Sequence, residues 1–219
     1  IQGDRATTAT VIGPGVIGQT SALALDSALD ALETLRIHHP EAWKAEAFAD
    51  EMAADIDATI VPVSDPVEAV SGSDVTVVAA TGSPPPKIEG SWLTDDCLVI
   101  PLGDLRTDLA AFDPGLIFCD IRRNTLEFAA HMDWQIMNAL GAAVDYSIGS
   151  DVAESDLRAL HEVIGGEDTA PTEGRSILYS PGLPMEDVAW ASHVYENAAE
   201  QGLGQTLTMF EESYFSKPY

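Results

Sequence analysis

The chain is predicted to be an α/β protein built on a doubly wound, Rossmann-type parallel sheet with a C-terminal helical return segment. Three observations predict this. A short β-rich run, Thr8 to Ile12, leads directly into Gly13-Pro14-Gly15-Val16-Ile17-Gly18. Runs rich in Val and Ile then alternate with helix-patterned segments as far as Asp120. Those runs are apolar without strict alternation, as strands buried on both faces of a parallel sheet must be.

The elements follow in order. After the glycine loop, Ala22, Leu23, Leu25, Ala28 and Leu29 recur at helical spacing. Leu35 to His39 reads as a second strand, and Pro40-Glu41 opens a second helix with proline suited to its first turn. Ala58 to Val63 is a third strand, and Asp65 or Ser64 caps a short helix at Pro66 to Val70. Asp74 to Ala80, Cys97 to Pro101 and Gly115 to Asp120 complete the strands of the first part. Beyond them, Asn124 to Leu140, Asp151 to Ile164 and Met185 to Gln201 read as helices, the last closed by Gly202. The expected division is a nucleotide-binding domain over residues 1–150 and a mostly helical segment over 151–219.

Composition narrows the function. Ten Lys plus Arg stand against thirty-six Asp plus Glu, a net charge of -26, and a nucleic-acid partner would be repelled by that surface. The acids are dispersed, and the lysines are only Lys44, Lys87 and Lys217. That pattern fits a halophilic protein, because molar salt screens repulsion within about 3 Å. No apolar run approaches the roughly 18 residues of a membrane span, and no secretory leader opens the chain. Cys97 and Cys119 lie in apolar strands and read as small hydrophobes in a reducing, cytoplasmic setting. His131, His161 and His193 have no companions at metal-ligand spacing, so no metal site is expected. Because the first residue is Ile1 and the glycine loop follows almost at once, the chain reads as a fragment or a processed product.

The glycine loop carries the chemistry. In Gly-x-Gly-x-x-Gly the first glycine permits the tight bend, the second lets a pyrophosphate approach, and the third lets helix and strand pack. The helix N-terminus then offers free amide hydrogens to the phosphates. Gly13, Pro14, Gly15, Val16, Ile17 and Gly18 are therefore cofactor-binding candidates. The fingerprint expects an acid about 20 residues on, holding the ribose 2′-hydroxyl. His38 and His39 stand there instead, which leaves both NAD and NADP open.

The last third contains Leu160-His161-Glu162-Val163-Ile164-Gly165-Gly166, then Ile177 to Ala189 with Ser180-Pro181-Gly182-Leu183-Pro184-Met185-Glu186-Asp187, then Val194 to Gly204 ending Gly202-Leu203-Gly204. Together with Thr81-Gly82-Ser83 after the fourth strand, these resemble the ornithine cyclodeaminase/μ-crystallin family over nearly the whole chain. Within that family the glycine loop is similar to that of the branch named after tyramine oxidase. The resemblance implies NAD(H) or NADP(H) as cofactor and an amino or imino acid as substrate, with hydride transfer at the α-carbon. It implies Asp104 as general acid/base, and Thr81, Gly82, Ser83, Ser180 and Gly182 as cofactor contacts. It also implies a homodimer whose N-terminal substrate domain is missing here. Leu105-Arg106-Thr107-Asp108 departs from the longer cyclodeaminase loop, so ring-forming deamination is not implied. The rival expectation is a non-catalytic ligand-binding or accessory protein.

Overall fold

In a computed structural model the described residues are 5–113, 115–131, 136, 157–169, 173–180 and 182–208. Their contacts group the chain into two compact units, Ile1–Pro181 and Gly182–Tyr219. Residue 150, where the sequence places a boundary, lies outside the described residues, as do 151–156 and Trp134.

The first unit is one parallel sheet. Its strands are β1 (Thr8–Ile12), β2 (Thr34–His38), β3 (Thr59–Val63), β4 (Val75–Val78), β5 (Cys97–Pro101), β6 (Ile117–Cys119), β7 (Leu157–Ala159) and β8 (Arg175–Tyr179). They lie in the order β3-β2-β1-β4-β5-β8-β6-β7, every pairing parallel. The helices are α1 (Val16–Ala28), α2 (Ala42–Met52), α3 (Pro66–Val70), α4 (Arg122–His131) and α5 (Leu160–Gly165). The predicted doubly wound sheet is thus what the chain forms.

Both faces of the sheet are covered, and adjacent residues of one strand divide between two cores. Val11 and Val77 join Ala22 and Leu25 of α1 and Ala45, Phe48 and Met52 of α2. Ile12 and Val78 join Val70, Val99, Leu105 and Ile117 on the opposite face. This is the period-two geometry of a strand acting on an apolar run. Pro62 falls in β3, at a sheet edge, where its missing N–H leaves no ladder bond unmade.

Some boundaries differ from expectation for readable reasons. Asp74 does not enter β4, because its carboxylate accepts the amides of Thr7 and Thr8 at 2.8 and 2.9 Å. Asp26 likewise accepts the amide of Ala58 at 3.1 Å, and β3 begins one residue later. Pro40 lies ahead of α2, whose cap residue is Glu41. Leu157 to Ala159, expected as helix, forms β7 instead: Leu157 and Ala159 are buried in register with Ile117 and Cys119. In the third helix, α3, Asp65 is the cap, accepting the Glu68 amide at 2.8 Å.

The second unit contains α6 (Pro184–Glu200), with Pro184 in its first turn, Glu186 and Asp187 as first-turn acids, and Gly202 at positive φ just beyond. Among the described residues, no helix is long and apolar enough to cross a membrane.

Candidate functional site

The strand order reverses at β1: the chain goes to β2 on one side and later returns to β4 on the other. The crevice beyond the carboxyl ends of β1 and β4 is where such sheets take ligands. The glycine loop occupies it. Gly13 adopts φ +105, and a Cβ there would meet backbone atoms of Ala80 at 2.9 Å. A Cβ on Gly18 would lie 2.0 Å from the Gly13 carbonyl oxygen. Packing within the protein therefore accounts for both of these glycines.

Gly15 is different. Its backbone is extended (φ -80, ψ -175), and a Cβ would meet nothing within 4 Å. Neither backbone strain nor crowding calls for glycine there. The open space lies at the cap of α1, where free amide hydrogens face outward. A diphosphate seated on those amides supplies the missing reason, so the loop fits a dinucleotide.

Two cavities flank this point. One of about 370 Å³ is lined by Gly13, His38, His39, Thr81, Gly82 and Arg106, among others. A neighbour of about 380 Å³ is lined by Pro14, Gly15, His39, Trp43 and Lys44, among others. The predicted loop residues and strand-end histidines thus converge. Val16 and Ile17 are exposed at the start of α1, and Ser83 is exposed and lines neither cavity.

The two histidines differ chemically. His38 is buried, and its Nδ1 lies 3.1 Å from the Val63 carbonyl, which can only accept. Nδ1 therefore carries the proton, and neutral His38 keeps a lone pair on Nε2. Burial lowers the His38 pKa, partly opposed by the Val63 carbonyl and nearby Asp65, while His39 lowers it further. The His39 Nδ1 accepts the Glu41 amide at 3.0 Å, so its Nε2 carries the hydrogen. At the position of the expected acid stand one acceptor and one donor, able to serve a ribose hydroxyl or a phosphate oxygen respectively.

A second group of polar side chains gathers where β5, β6 and β8 end. Asp104 is partly buried, its Oδ1 accepting the Ile136 amide at 3.1 Å. Asp120, buried at the end of β6, accepts the Ser180 hydroxyl at Oδ2, 2.8 Å away. Its backbone carbonyl accepts from Nδ1 of His161 at 3.1 Å. Tyr179 is buried with no hydrogen-bond partner for its phenol among the described residues. Burial, with the charges of Asp104 and Asp120, pushes that phenol up to about 12.

Asp120 and Tyr179 were not singled out from sequence. The usable signal was position, since both close parallel strands at the carboxyl edge. Gly182 lies in the second unit at φ +84. Glu162 of the Leu-His-Glu-Val element is engaged by Arg122, which also donates to the Leu157 carbonyl at 2.8 Å. That pair joins α4, α5 and β7, so the element is a brace. Cys97 and Cys119 are free, buried thiols, both raised by burial, Cys97 to about 11.

The model of the ornithine cyclodeaminase/mu-crystallin family matches residues 2–202. N-((2S)-2-amino-2-carboxyethyl)-L-glutamate dehydrogenase of Staphylococcus aureus is 23% identical over 211 residues, covering 92% of this chain and 58% of that protein. Among solved structures, Δ1-pyrroline-2-carboxylate reductase of Thermococcus litoralis with NADH and L-proline superposes with a TM-score of 0.75 at 21% identity, over 92% of this chain and 61% of that one. An archaeal alanine dehydrogenase dimer with bound NAD gives a TM-score of 0.66 at 23% identity, over 94% and 62%. At these identities the structural likeness establishes the fold. The chain spans about three-fifths of the length of these relatives.

Proposed function

The chain belongs to the ornithine cyclodeaminase/mu-crystallin family, and from that premise we propose that it is the dinucleotide-binding portion of an NAD(P)-dependent oxidoreductase acting on an amino or imino acid. The observation that carries the reading is Gly15, a glycine with no packing or conformational reason, beside a groove that also collects His38, His39, Thr81 and Gly82. Relatives crystallised with NADH and L-proline, or with NAD, support the choice of ligand class.

In this reading the amides at the start of α1 hold the diphosphate, with Pro14, Val16 and Ile17 shaping the loop around it. His38 and His39 meet the ribose 2′ group, Thr81, Gly82 and Ser83 flank the dinucleotide, and Ser180 and Gly182 serve its nicotinamide end. The bound cofactor supplies or accepts a hydride at the substrate α-carbon. Asp104 is the group that holds and moves a proton, its carboxylate kept in place by the Ile136 amide. The remainder of such a protein supplies the substrate carboxylate clamp and the dimer contacts. The buried free thiols and the charge of -26 support a cytoplasmic, salt-rich setting.

The test is turnover of cyclic imino acids, and of 2-oxo acids with ammonia, using NADH and NADPH in molar KCl. Asp104→Asn is expected to lower kcat by about a hundredfold or more, the usual scale for a lost acid/base group, with dinucleotide affinity unchanged. Tight dinucleotide binding with no turnover by the wild type would favour an accessory, non-catalytic role.

A further inference from the structure

We propose that Arg106 is a phosphate anchor in the dinucleotide groove; this rests on the reading that the groove takes a dinucleotide. Charge sets this residue apart. Seven of the nine described Lys and Arg side chains lie within 4.0 Å of a carboxylate, as expected where acids outnumber bases so heavily. An eighth, Arg36, donates to the carbonyls of Glu68, Ala69 and Ser71 at the end of α3. Arg106 is the ninth. Among the described residues it meets no carboxylate, and its one side-chain bond is from Nε to the Pro85 carbonyl, at 2.8 Å.

Its position is set by the backbone. The Arg106 amide donates to the Pro86 carbonyl at 2.8 Å, and the Ile88 amide donates to the Arg106 carbonyl at 3.0 Å. Leu105 and Ile88 are buried on either side of this bridge. The segments after β4 and β5 are thereby clipped together, with the arginine stem between them. Nε is engaged, and the four N–H groups on the terminal nitrogens remain for a ligand.

Arg106 lines the cavity shared by Gly13, His38, His39, Thr81 and Gly82. Lys87 lines it too, but its ammonium sits 2.6 Å from Glu89. A guanidinium uncompensated by acid, pre-oriented and facing a groove in a strongly anionic protein, matches the planar donor fork that binds phosphate. The phosphate oxygens of a dinucleotide offer two sources, the diphosphate and a 2′-phosphate.

The experiment is calorimetric titration of adenosine, ADP, adenosine 2′,5′-bisphosphate, NAD+ and NADP+ into wild type, Arg106→Gln and Arg106→Lys in molar KCl. Circular dichroism checks the fold of each. Arg106→Gln is expected to weaken the phosphorylated ligands by tenfold or more and leave adenosine unchanged, with Arg106→Lys intermediate. A loss confined to NADP+ and the 2′,5′-bisphosphate assigns the 2′-phosphate; an equal loss for ADP and NAD+ assigns the diphosphate. Undiminished binding in Arg106→Gln, or an equal loss for adenosine, would overturn the proposal while leaving the groove's function standing. Failure of the folded wild type to bind any dinucleotide would overturn the groove reading, and this proposal with it.

Discussion

The hydroxyl of Ser180 donates to the Asp120 carboxylate at 2.8 Å, tying the end of β8 to the end of β6. These strands are far apart in sequence and adjacent in the sheet. Asp120 is buried, so losing this donor leaves a carboxylate oxygen with less compensation. Ser180→Ala is expected to destabilise the fold by about 1.5–3 kcal/mol, the scale of a hydrogen bond to a charged group. Urea unfolding at fixed salt checks this, and an unchanged midpoint would mean that the contact contributes nothing to stability.

The glycine loop gives a paired test. Gly18→Ala places a Cβ 2.0 Å from the Gly13 carbonyl oxygen, a backbone atom that cannot simply move aside. It should cost at least the roughly 1–3 kcal/mol typical of overpacking. Gly15→Ala meets nothing within 4 Å and keeps an ordinary φ, so Tm should hold while dinucleotide affinity falls tenfold or more. Thermal unfolding and titration on both variants separate the two roles.

His38 makes stability depend on pH. Burial lowers its pKa in the folded state, so the unfolded chain binds a proton more readily in the window below the ordinary 6.5. The contribution is fully present above that value and is lost as pH falls from 6.5 through the folded pKa. His38→Gln should flatten this part of the stability curve. Equal acid sensitivity in variant and wild type would assign the effect to other groups.

Net charge makes stability depend on salt as well. Thirty-six acids against ten bases repel one another at low ionic strength. Raising KCl from about 0.1 M, where the screening length is near 10 Å, to above 1 M, where it is below about 3 Å, should raise Tm. A Tm that is flat or falling would contradict adaptation to molar salt.

The sheet was legible because its signal is local: Val- and Ile-rich runs separated by helical spacing, with a glycine turn at the first crossover. β7 was not, since Leu157-Arg158-Ala159 is only three residues long and becomes a strand through its pairing with β6. In the site, Gly13, His38, His39, Thr81 and Gly82 were found from motif and strand order, and the structure brings them to one cavity. Asp120 was missed because nothing around it marks a site until β8 inserts between β5 and β6 and brings Ser180 alongside. In the sequence Arg106 is only one of few arginines. Its standing emerges once the other described cations are seen to have partners.

Whether the groove beyond β1 and β4 holds a pyridine dinucleotide is decided most directly by calorimetric titration of NAD(H) and NADP(H), separately, into the chain in molar KCl. We expect one saturable site of micromolar strength for at least one of them, abolished or strongly weakened in Gly15→Ala. A folded chain that binds neither would contradict the dinucleotide reading, leaving the glycine loop a structural turn.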